Sequence, residues 1–156
     1  MLKRKYKHLD KSSWPRGPWD TEPDKMQWRD KATGLPCLMV RGPMGALCGY
    51  VGVSPGHPCY GKHYDDCHDA HENISVHCGL TFAGKCQNGP EDMAICHRVE
   101  PGESDDVWWL GFDCAHCNDF APRMGFIPRL WRQTYRDVSY VKAQCKQLAQ
   151  QLASIL

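Results

Sequence analysis

From Tyr135 onward, Val138, Val141, Cys145, Leu148, Leu152 and Ile155 recur at three- and four-residue spacing, with lysines and glutamines between them. That is the stripe of an amphipathic helix, which needs an apolar surface to pack on. Thr134 and Asp137 fit a capping box at its start. The surface has to come from the short apolar runs upstream. Pro36–Arg41 and Ala46–Val53 flank Gly42-Pro-Met-Gly45 and read as a β-hairpin with a four-residue turn. Residues 54–61 are too rich in proline and glycine for a regular element.

Two further strands are expected. In Ile74–Ala83 the residues Ile74, Val76, Cys78, Leu80 and Phe82 alternate with Ser75, His77, Gly79 and Thr81, as in a half-buried strand. Val107–Cys114 places Trp108, Leu110 and Phe112 on one face and Trp109, Gly111 and Asp113 on the other. The expected fold class is therefore α+β: an antiparallel sheet of about four strands with the C-terminal helix packed across one face. Residues 1–34 read as an irregular arm, whose Trp14, Trp19 and Trp28 should lie against a single domain spanning 35–156.

The 156 residues suit one domain, and 42% hydrophobic with 24% charged residues is ordinary globular composition. No stretch approaches the ~20 apolar residues of a membrane span, so no membrane partner is expected. The basic start is not followed by an apolar segment before Trp14-Pro15, which predicts no secretion signal and a cytoplasmic location. The ten cysteines are then expected to be mostly reduced. A formal net charge of +1 lacks the excess typical of phosphate-backbone binding, so nucleic acid is not a favoured partner.

His77 and Thr81 are expected on the polar face of the first strand, with Gly79 between them leaving room for a ligand. Pairing with the second strand would bring Asp113 and His116 to the same end, with Trp109 as an apolar wall. Two imidazoles and a carboxylate serve as general acid and base or bind a divalent metal, and either use would support hydrolysis. The alternative is that both histidines are hydrogen-bonded structural residues and Asp113 caps a turn. Cys114-Ala-His-Cys117 makes Cys114, His116 and Cys117 candidate zinc ligands. Cys86, Cys96-His97, or Cys67-His68 with His71 would supply the rest.

Taken together, Glu22-Pro-Asp-Lys25, Thr33-Gly-Leu-Pro-Cys37, Cys48-Gly-Tyr-Val-Gly52, Gly56-His-Pro58, His77-x-Gly-Leu-Thr81, Gly111-Phe-Asp-Cys-Ala-His116 and Tyr135-Arg-Asp form a distinctive set. By these motifs the chain resembles a family of short proteins, without an established activity, from bacteriophage and bacterial genomes. The resemblance implies a phage-associated, cytosolic context. Where similar chains read His-Gly-Gly-Leu-Thr and Cys-Ala-His-Ala-Gly-Asp, this one carries Cys78 and Cys117-Asn118, which speaks against a function built on the CxxC pair. His77, Thr81, Asp113, His116 and Asp119 match the pattern. Two functional classes are expected: a small hydrolase-like enzyme using His77, Asp113 and His116, or a non-catalytic phage protein that binds a host factor or a small nucleotide ligand. A zinc-stabilised interaction module is a third possibility.

Overall fold

The hairpin is present as expected, with β3 (Pro36–Arg41) and β4 (Leu47–Val53) antiparallel in a register that pairs Leu38 with Tyr50. The computed structural model describes residues 1–67, 74–116, 118–125 and 132–155. Around the hairpin lie β1 (Arg4–Tyr6), β2 (Lys25–Arg29), β5 (Phe82–Lys85), β6 (Trp108–Asp113) and the helix α1 (Val138–Ser154). The described strands form one antiparallel sheet in the order β1-β2-β3-β4-β6-β5. The α+β architecture holds, with six strands instead of about four.

The two additional strands come from residues 1–34, the segment expected to be irregular. Polar anchors hold it in place. The buried Asp24 accepts from the amides of His8 and Leu9 at 3.0 and 3.1 Å and from Arg41 Nε at 2.9 Å, and it pairs with Lys11 at 2.5 Å. Glu22 accepts from the Tyr135 hydroxyl and from the first amide of α1, that of Val138. Trp19 is buried, stacked 5.5 Å from Phe120 and edge-on to Tyr135. Trp19 thus packs against the segment that leads into α1, and Trp28 is part of β2 itself.

Both faces of the sheet are apolar. One carries Met26, Cys37, Met39, Val51, Leu110 and Phe112 and is covered by Val141, Cys145, Leu148 and Leu152 of α1. The other gathers Leu38, Val40, Tyr50, Val107 and Trp109. Burial on both sides is why β3 reads as an uninterrupted apolar run. Helix and sheet approach closely at Gly49, where a Cβ would sit 2.4 Å from Phe112 and 2.8 Å from Cys145. The cap of α1 is Asp137, whose carboxylate accepts from the Tyr140 amide at 2.8 Å. Thr134 instead bridges to Asp119.

The expected strand over Ile74–Ala83 is not formed. Cys78 and Gly79 have φ values of 53° and 86°, which make a turn, and the strand begins only at Phe82. The side-chain amides of α1 take the place of a neighbouring strand: Gln144 accepts from the His77 amide at 2.9 Å, and Gln151 bonds both backbone groups of Ser75. Ile74, Val76 and Leu80 still pack against the helix-side core. The alternation therefore marks the burial of Ile74, Val76 and Leu80 and not a strand, since Cys78 is exposed and the His77 side chain is buried.

The expectation of mostly reduced cysteines fails at four positions, because Cys59–Cys67 and Cys86–Cys96 are disulfides. Cys37, Cys48, Cys114 and Cys145 are not in disulfides. Among the described residues no helix is long and apolar enough to cross a membrane.

Candidate functional site

The end of β6 carries Asp113, and the chain then turns sharply because the Asp113 carboxylate accepts from the Ala115 amide at 3.0 Å. This turn returns His116 toward the strand, with Nε2 3.3 Å from Asp113 Oδ1. Thr81 donates its hydroxyl to the other carboxylate oxygen, Oδ2, at 3.1 Å. Asp113 and His116 are each one-third exposed at the side chain. Nε2 itself is shielded from solvent and makes no well-aligned hydrogen bond, so the exposure of the ring lies away from it. A carboxylate at Nε2 favours the tautomer protonated there and leaves Nδ1 as the basic nitrogen.

His77 approaches from the turn before β5, its ring centroid 5.9 Å from that of His116. Its environment differs. Nε2 lies 2.8 Å from Asp119 Oδ2 and Nδ1 lies 2.7 Å from the Tyr140 hydroxyl, so both ring nitrogens have partners. The side chains of this pair are only 8% and 1% exposed. Asp119 also accepts from the His116 amide at 3.1 Å and from Arg136 Nε at 3.0 Å. Burial alone would raise the Asp119 carboxyl, but His77, Arg136 and the His116 amide together hold it below the usual carboxylate range. With Asp119 ionised, His77 donates through Nε2 and receives the Tyr140 proton at Nδ1. The Arg136 guanidinium lies 4.8 Å above the Tyr140 ring.

His77, Thr81, Asp113, His116 and Asp119 therefore meet, though through turns and not along adjoining strand faces. Two expected neighbours do not join them. Trp109 is fully buried on the opposite face, edge-on to His97 and donating to Cys86 Sγ at 3.3 Å. It sits four residues before Asp113 on β6 and packs among Leu38, Val40, Tyr50 and Val107, so it is no wall of this site. Gly79 has open space where a Cβ would project, and its part is the left-handed turn its φ requires. Tyr140 and Arg136 were absent from the expected site. Arg136 stands in the Tyr135-Arg-Asp motif just before α1, but nothing local in it points to residues 77 and 119, and Tyr140 lies outside that motif.

The zinc expectation loses most of its ligands. Cys67, Cys86 and Cys96 are taken up by disulfides. Cys114 is buried, and desolvation pushes its thiol up, away from the thiolate a metal requires. Cys117, His68 and His71 lie outside the described residues. Among the described residues no group of three or more His, Cys, Asp or Glu side chains is placed to hold a metal ion.

No protein-family model matches this chain, and no curated protein or solved structure does so either.

Proposed function

We propose that the chain is a small phage-associated protein whose partly exposed His116–Asp113 pair does hydrolase-like general acid–base chemistry, while the buried His77–Asp119 pair positions it. The observation that carries this reading is the pairing of two histidines with two carboxylates, rings 5.9 Å apart, one pair open to solvent and the other closed. In this scheme His116 takes a proton from water at Nδ1, and Asp113, held by Thr81 and the Ala115 amide, stabilises the imidazolium through Nε2. The loosely aligned contact at Nε2 tightens as charge develops. The resemblance of the motifs to phage proteins supports the setting.

The test is turnover of chromogenic carboxylic esters, phosphomonoesters and phosphodiesters by the wild type beside Asp113→Asn and His116→Ala. Turnover of one class, reduced ~100-fold or more in both variants, is expected. Equal rates in all three proteins, or no turnover of any class, would refute it.

A non-catalytic, ligand-binding reading is favoured by a different observation. A cavity of about 470 Å³ lies on the sheet face away from α1, with apolar walls from Trp14, Val40, Tyr50 and Ile95 and polar groups from Gln87 and Arg123. Its size suits a small organic molecule.

A further inference from the structure

The near-neutral net charge conceals an uneven distribution. A groove of about 660 Å³ runs between the start of the chain, the β2–β3 turn and α1, and its walls carry Lys3, Arg29, Lys31, Lys142 and Lys146. None of the four lysines forms an ion pair among the described residues. The one carboxylate at the groove, that of Asp30, is occupied by the amide and hydroxyl of Thr33 at 2.9 and 2.8 Å. Arg29 is held by the Gly34 carbonyl and by Glu103 at 3.8 Å. α1 has two lysines and no acidic residue. Burial, then Lys3, Lys5 and Lys31, push the Lys142 ammonium down, as expected where cations crowd without a counter-ion.

Within this cationic wall lies the half-buried ring of Trp28, with Lys142 Nζ 5.9 Å from its centroid. Ammonium groups spaced along a channel beside an aromatic ring match a chain of phosphates whose bases stack on side chains. The site is a concavity, which a flexible strand can enter and a flat bilayer cannot.

We infer that this groove binds single-stranded nucleic acid, with Lys3, Lys31, Lys142 and Lys146 on the phosphates and Trp28 against a base. The inference does not depend on the reading of the His116 site. It is tested by fluorescence anisotropy of a labelled oligothymidylate titrated with the full chain, alongside co-sedimentation with phosphatidylserine vesicles. The oligonucleotide should bind at low salt. The double variant K142E/K146E should bind at least ~10-fold more weakly, and the slope of log K against log salt should become shallower by roughly 1.4, for two lost contacts on a single strand. K3E/K31E, on the opposite wall, should behave the same way, which keeps the test decisive if one variant fails to fold. Absence of oligonucleotide binding, binding unchanged in a folded variant, or binding to vesicles alone would overturn the inference.

Discussion

Lys25 is 1% exposed, and its ammonium donates to the carbonyls of Glu91, Ala94 and Cys96 at 2.5, 2.7 and 2.8 Å. Burial pushes its pKa down to about 8, against the pull of the Glu91 and Asp92 carboxylates, and those carbonyls with the Tyr6 ring 5.6 Å away hold the charge at that depth. Lys25→Met would fill much of the same volume but leave three acceptors unpaired, and should cost about 2–4 kcal/mol in urea denaturation. A loss within experimental error would show that water replaces the ammonium. No sequence pattern distinguishes this lysine from an exposed one on an edge strand. The same limit applies to His77: its nearness to His116 was expected, but from a strand that does not form, and its burial between Tyr140 and Asp119 was not expected. Asp113 and His116 were easier, because a strand ending in an aspartate with a histidine three residues on specifies its own turn.

Among elements, the hairpin, β6 and α1 could be read from period and turn chemistry because each satisfies its backbone locally or with a chain neighbour. Residues 74–81 could not, since their amides are met by Gln144 and Gln151 some 70 positions away and tertiary context overrode a strand-like alternation. β1 and β2 escaped notice because they are short and held by Asp24 and Glu22, not by a continuous apolar pattern. The contact of α1 with β4 depends on Gly49. Gly49→Ala has to displace Phe112 and Cys145, and should destabilise by about 1–3 kcal/mol; an unchanged melting temperature would mean the helix is free to shift. The two disulfides close loops of sequence separation 8 and 10. Each should contribute about 2.5–3 kcal/mol on loop-closure grounds. Peptide mapping under non-reducing conditions should recover the Cys59–Cys67 and Cys86–Cys96 links, and recovery of those four cysteines as thiols would contradict the pairing.

Across the whole molecule, the sheet is wrapped on both sides and the candidate site forms where the ends of β5, β6 and α1 meet. Asp119 joins them, and its depressed pKa, like that of Asp24, contributes to how the fold responds to acid. Its folded value lies below that of the unfolded chain, so its contribution is complete above pH ~4 and is lost as pH falls through the folded value. Asp119→Asn should therefore flatten the acid limb of a stability–pH curve relative to the wild type, and an equally steep limb would assign the acid response elsewhere. The central claim is the division of labour between the two His–carboxylate pairs. The thermal midpoints of Asp119→Asn and Asp113→Asn, recorded side by side at neutral pH, test it most directly. Removing the buried charge beside His77 and Arg136 should cost about 3–5 kcal/mol, or on the order of 10 °C for a chain of this size. Asp113→Asn, at a partly exposed pair, should melt within ~2 °C of the wild type. Equal losses in the two variants, or a larger loss in Asp113→Asn, would contradict the account.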